Sequence, residues 1–247
     1  MAKITGTQLH ELLESARTPT DTVEAARTQK AFFRALLEAT VYAHVPIEPA
    51  PRGQIRFIQF IRPDNGQTVL PFFSDREQAA AAAVGKARIV AMDGRRLFEL
   101  TRGATLMLNP NHDRVALYPP EISALLEGRT LGFFAAETLN AEEHVGVSLP
   151  SVPTENLTIV LRNLYEREPS VRAAYLAEVH RGVDQSDVFL LLTLVVTKGN
   201  DERMVQLTSL ALSSLLPRME LPMTITCVLP DEGLPELCHH GIQFYGT

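Results

Sequence analysis

A chain of 247 residues with 45% hydrophobic and 21% charged side chains can bury its own core and lacks the composition of a disordered protein. A net charge of −6 gives no attraction to nucleic acid or to an anionic membrane. Cys227 and Cys238, the only cysteines, are too few for a disulfide framework.

The N-terminus has no signal-peptide apolar stretch, and the longest greasy segment, Val188 to Val196, is about half a membrane span. A cytoplasmic protein is the expectation. Leu9, Leu12, Leu13 and Ala16 follow the spacing of one helix face. Thr18-Pro-Thr-Asp breaks that pattern, and a second helix is expected from Asp21 or Thr22 past Val41. Pro46, Pro49 and Pro51 stop it and make an extended connector. Residues 1–50 therefore read as an N-terminal helical extension.

From Gln54 the period changes. Ile55 to Ile61 reads as a strand, Pro63-Asp-Asn-Gly66 as a turn, and Thr68 to Phe73 as the second arm of a hairpin. Pro71 inside that arm suggests an edge strand or a bulge, because proline donates nothing to a ladder. Ser74 precedes Glu77, and Asp75 precedes Gln78, at capping-box spacing. An alanine-rich helix follows, ended by Gly85. Strands are expected at Arg88 to Met92, Ala104 to Leu108 and Val115 to Tyr118, with helical turns at Arg95 to Leu100 and a helix opened by Pro119-Pro-Glu-Ile.

A connector is expected over 131–149, its Leu131-Gly-Phe-Phe-Ala135 cluster packing on something. A second unit, 150–247, then carries a helix capped by Thr154 and two paired strands, Val171 to Val179 and Asp187 to Val196. A helix through Leu216 and strands at Thr224 to Leu229 and Gly241 to Tyr245 complete it. Hairpins among helices indicate α+β, two mixed modules with largely antiparallel or mixed sheets, rather than a doubly wound parallel sheet.

Val69-Leu-Pro-Phe-Phe-Ser-Asp-Arg-Glu77, Leu106-Met-Leu-Asn-Pro110 and Pro120-Glu-Ile-Ser-Ala-Leu-Leu126 resemble the N-terminal domain of the SseB (enhanced serine sensitivity) family over 51–130. Asn156 to Tyr165, Glu168-Pro-Ser-Val-Arg-Ala-Ala-Tyr-Leu-Ala177 and Phe244-Tyr245 resemble that family's C-terminal domain. The resemblance covers roughly 52–247, leaves the first fifty residues outside it, and carries no catalytic residues onto this chain.

Constellations that carry chemistry are sparse. His10-Glu-Leu-Leu-Glu14 lacks the second imidazole of a zinc-protease helix, so a solvated helix face is expected. Cys238-His-His240 places adjacent donors that point apart, so no metal is expected there or elsewhere. Asn109-Pro-Asn111-His112-Asp113-Arg114 is the densest polar loop cluster. His112 with Asp113 can act as an acid–base pair and Arg114 can hold an anion, while a turn bridged by asparagine and aspartate is the plainer reading. Arg95 and Arg96 can recognise a carboxylate or phosphate. The doublets Phe32-Phe33, Phe72-Phe73 and Phe133-Phe134 imply either coverage of both strand faces or an outward docking ring.

The expectation is a non-enzymatic adaptor or regulator whose partner is another protein, in one version a secretion-accessory or toxin-neutralising protein. It needs no cofactor, nucleic acid or membrane. The alternative is a sensor of an amino acid or other small anion in an intermodule cleft.

Overall fold

The structure is a computed structural model that describes residues 4–17, 22–83, 87–131, 145–182, 187–215 and 220–246. The Thr18 break, the Gly85 helix end, most of the 131–149 connector with Phe133-Phe134, the 183–186 gap and the Leu216 helix end lie outside these residues. The chain divides into two units, Met1–Phe133 and Phe134–Thr247. Among the described residues each unit has its own mixed sheet and helices, the expected α+β architecture.

In the first unit, helices α1 (Gly6–Arg17) and α2 (Thr22–Glu38) precede β1 (Thr40–Pro46), then β2 (Phe60–Ile61), β3 (Thr68–Phe73), α3 (Arg76–Ala82), β4 (Ala87–Asp93), α4 (Gly94–Leu100), β5 (Leu106–Leu108), β6 (Val115–Leu117) and α5 (Pro119–Leu126). The strand order is β4-β1-β3-β5-β6, with β2 also on β3. β3 and β5 run parallel, while the other pairs of this sheet are antiparallel. Both rings of the Phe72-Phe73 doublet are buried. Phe72 packs edge-on to Phe98 of α4, and Phe73 packs on His44, whose Nε2 lies 2.8 Å from the Ala79 carbonyl of α3. Both faces of β3 are therefore covered, and burying each ring contributes about 2–3 kcal/mol. At Gly94 α4 comes so close to α2 that a Cβ would lie 2.0 Å from the Leu36 carbonyl oxygen.

Two expectations are corrected here. The second helix ends at Glu38, and β1 follows it as an inner strand between β3 and β4. Residues 1–50 are thus not a helical extension but supply a central element of this sheet. The sequence conceals this because Val41, Ala43 and Val45 are buried by period-two alternation that continues directly from the helix. Pro71, expected at an edge or bulge, sits in an inner strand. Continuing the register Tyr42–Phe73 and Ala43–Phe72 sets His44 opposite Pro71, where no N–H is available. The His44 carbonyl instead accepts from Ile58 N at 2.9 Å, and β2 takes over the same edge of β3 at Val69 and Thr68. The proline marks a change of partner along a continuous edge.

The second unit contains β7 (Val145–Ser148), α6 (Glu155–Tyr165), β8 (Val171–Arg181), β9 (Asp187–Val196), α7 (Asp201–Ser213), β10 (Met223–Val228), a 3-10 turn (Glu236–His240) and β11 (Ile242–Gly246). The order is β10-β9-β8-β11, with β7 also on β8 and β10 parallel to β9. Val145–Ser148, assigned to the connector from sequence, is therefore part of the second sheet. Leu157, Leu161 and Tyr165 of α6 pack with Leu176, Leu192, Leu194 and Met204 in one core. Val179, Phe189 and Leu191 make another cluster with Val145. The Tyr165 hydroxyl pairs with Thr208 Oγ1 at 3.1 Å, and burial pushes its pKa well above the usual tyrosine value. Thr154 stands at the N-cap of α6 without a side-chain cap bond, so the expected hydroxyl cap is absent.

Candidate functional site

The parallel pair β3 and β5 ends at a common rim. Phe73 leads into Ser74 and Asp75, and Leu108 leads into Asn109. Carboxyl ends of parallel strands are where chains leave a sheet and side chains converge on open space. Asp75 caps α3 by accepting from Gln78 N at 2.7 Å, and Gln78 Nε2 returns to Asp75 Oδ2 at 2.8 Å. Of the two capping spacings read from sequence, Asp75–Gln78 closes this helix start, while Ser74 bonds Asp75, Gln78 and Asn109.

Asn109 organises the other side of the rim. It is buried, with φ +45, in the left-handed region that asparagine tolerates. Its backbone N–H donates to Phe72 O, and its carbonyl accepts from His112 N at 2.8 Å and Arg114 N at 3.1 Å. Its side-chain carbonyl accepts from Ser74 N at 3.0 Å. The amide nitrogen donates to Ser74 Oγ at 3.0 Å and to Asp113 Oδ2. Both amide hydrogens are thereby committed. The turn reading of this loop describes its backbone correctly.

Asp113 is buried, and its second oxygen faces two imidazoles. His112 Nδ1 lies 3.1 Å from Oδ1, and His10 Nδ1 lies 3.7 Å from the same atom. The two rings meet edge to face at 5.6 Å. His10 arrives on α1, whose first turn is closed by Thr5 and Gln8: Thr5 N donates to Gln8 Oε1 at 2.9 Å, and Gln8 N to Thr5 Oγ1 at 3.3 Å. A Cβ on Gly6 would stand 3.0 Å from the Ser74 carbonyl oxygen, so the helix start rests on the strand exit. Leu9 and Leu13 are buried beneath it, and His10, adjacent to Leu9, falls at the rim.

The remaining sequence candidates are distributed differently. Asn111 and Arg114 are exposed on the loop. Arg95 Nη1 donates to Leu126 O at 3.4 Å, and Arg96 pairs with Glu99 at 3.7 Å, so these two engage α5 and their own helix. Ser74, the hydroxyl of the rim, is buried and bonded to Asp75, Asn109 and Gln78. It is not aimed at an imidazole as an activated nucleophile would be.

The SseB protein N-terminal domain family matches residues 9–124. Protein SseB of Escherichia coli (strain K12) is 29% identical over 249 residues, covering 98% of this chain and 92% of that protein, and Protein SseB of Shigella flexneri matches to the same extent. The domain match over residues 9–124 and the likeness along nearly the whole chain support a place in the SseB family. No solved structure matches it. The match beginning at residue 9 corrects the expectation that the first fifty residues stand outside the resemblance.

A further buried carboxylate, beside a histidine, lies in the second unit. Glu178 accepts from Ser151 N at 2.7 Å and Ser151 Oγ at 2.6 Å, and His180 Nε2 lies 3.0 Å away. Burial alone would raise its pKa. The two bonds from Ser151, with the charge and hydrogen bond of His180, outweigh burial and hold the carboxyl below its ordinary value. Ser148 Oγ lies 3.5 Å from the same His180 Nε2. A hydrolytic relay needs serine and carboxylate on opposite ring nitrogens, so this arrangement cannot act as one. Cys227 is equally ill suited to nucleophilic work, because burial, with a smaller contribution from Asp201, pushes its thiol up to about 12. Cys238 is buried while His239 and His240 face solvent.

His10 is the site residue that sequence reading missed. It stands far from the 109–114 cluster in sequence, and its own helix offers no partner at i+4. The legible signals were the Thr5–Gln8 capping spacing and the Leu9–Leu13 face, which orient α1 without saying what lies beside it.

Proposed function

We propose that the chain is a non-enzymatic interaction protein, an adaptor or regulator that binds another protein through the first unit. The observation that carries this is the long connection between β1 and β2. It presents Ile47 at 53% exposure and Ile55 at 40%, and Ile61 in β2 is 68% exposed. Pro49 and Pro51 stiffen the arm, and Arg52 and Arg56 are exposed beside the aliphatic residues. Long connections kept in a compact unit are commonly functional, and large aliphatic side chains left exposed along one are a surface that a partner can cover. Secretion-accessory or toxin-neutralising work is the narrow form of this reading, supported by the net charge of −6 where the partner is basic.

The test is affinity capture from native extract under several growth conditions, using the wild type, an Ile47→Asp/Ile55→Asp/Ile61→Asp variant and an Ile159→Asp control. The expected result is a stoichiometric partner held by the wild type and the control and lost by the triple variant. A partner retained by the triple variant, or no stoichiometric partner at all, overturns the reading.

A further inference from the structure

We infer that His10, His112 and Asp113 form a binding site for a late first-row divalent metal ion, with zinc as the expected occupant. One ring nitrogen of each imidazole and a carboxylate oxygen all lie within 4.8 Å of one another. Neutral imidazole nitrogen and carboxylate oxygen are the donor set of such ions. Tetrahedral bonds of about 2.0–2.1 Å set neighbouring donor atoms about 3.3–3.4 Å apart. The His112–Asp113 and His10–Asp113 separations of 3.1 and 3.7 Å fall on either side of that value. The longer separation is informative, because 3.7 Å exceeds hydrogen-bonding reach. His10 is aimed at an oxygen it does not bond directly, and an ion shared between them would bring both within coordinating distance.

The surroundings of the carboxylate are those of a ligand held in place. Asn109 donates to Asp113 Oδ2 and leaves Oδ1 toward the imidazoles, while Ser74 fixes Asn109 from two sides. Metal-binding carboxylates are oriented by hydrogen bonds of this kind. The two histidines are exposed and Asp113 is buried, so an ion enters from solvent and is anchored at the base. Three protein donors leave a fourth position for water or for a side chain of another molecule. Binding would also clamp α1 onto the 109–114 loop, joining segments that nothing covalent holds together.

Metal-stripped full-length protein is titrated with Zn(II) by calorimetry, comparing the wild type with His10→Ala, His112→Ala, Asp113→Asn and a Cys238→Ser/His239→Ala/His240→Ala control. One equivalent is expected in the wild type and the control. Loss of either rim imidazole weakens binding on the order of a hundredfold or more, since even residues that only orient ligands cost 10–100-fold. X-ray absorption should show a nitrogen and oxygen shell at about 2.0–2.1 Å, and Zn(II) should slow hydrogen exchange in α1. His10 and His112 are exposed, so their variants remain folded. Affinity unchanged in both histidine variants overturns the site, as does loss of binding in the control, sulfur in the metal shell, or no binding by the wild type.

Discussion

Asp113 in the first unit and Glu178 in the second are both buried carboxylates beside histidine, yet they are built for different work. Glu178 and His180 lie two residues apart on β8, so their side chains share one face of a strand. Ser151 donates its N–H and hydroxyl to the other carboxylate oxygen. The result is a clasp that fixes the segment after β7 to the strand it pairs with. Asp113 draws on segments far apart in sequence, among them Asn109 and His112 of the 109–114 loop and His10 on α1. One oxygen is tied by an amide, and the other faces two exposed imidazoles. A carboxylate satisfied by its immediate surroundings holds the fold together, whereas one with an oxygen turned toward groups from distant elements can take a ligand.

The sharpest way to break this comparison is Asn109→Leu. It removes the acceptor of the buried Ser74 N–H and one donor to the buried Asp113 carboxylate, an unsatisfied buried group costing about 1–3 kcal/mol, and it places a branched residue at positive φ. The first unit should lose about 2–4 kcal/mol and also its Zn(II) affinity. Hydrogen exchange resolved by segment checks this, with protection falling in β3 and β5 and staying unchanged in β8 and β9. Equal loss in both units would show that Asn109 is not a local organiser.

Glu178→Gln gives the next largest effect. It removes charge from hydrogen bonds that contribute about 1.5–3 kcal/mol when one partner is ionised. The folded carboxyl titrates below its unfolded value of 4.5. Its stabilisation is therefore fully present above that value and lost as pH falls through the lower folded pKa. In the wild type, the second unit should weaken on acidification below about pH 4.5, and in Glu178→Gln that part of the slope should be absent. Urea unfolding across pH 3 to 7, followed by exchange at β8, provides the measurement. An identical slope in both proteins would mean the carboxyl is not paired in the folded state.

Sequence reading reached most of the local structure because local chemistry determines it. The Asp75–Gln78 cap, the Asn65–Gly66 turn and the buried run of β9 are each fixed by neighbours in the chain, and each appears where expected. β1 was lost because its alternation begins directly after a helix, without a turn residue to announce it. Pro71 was misplaced because the compensation for its missing N–H comes from Ile58, which sequence does not set beside it. The candidate site was half legible for the same reason. Asn109 to Arg114 is one contiguous cluster, while His10 joins it only through the packing of Leu9 and Leu13.

The smallest effect, and the finest discrimination between the two carboxylates, comes from His180→Ala. His180 is more accessible than Glu178, and Ser151 continues to satisfy the carboxylate without it. A partly exposed ion pair of this kind contributes about 0.2–1 kcal/mol, so stability should change little at neutral pH. Zn(II) titration should be indistinguishable from the wild type, since the clasp supplies one imidazole on the same strand as its carboxylate and, among the described residues, no second imidazole joins it. Calorimetry checks both points in one preparation. A His180→Ala variant that lost a metal equivalent would make the clasp a second ligand site and erase the distinction between the units. Full retention, beside loss in His112→Ala, would show that convergence from separate elements is what makes a buried carboxylate available to a ligand.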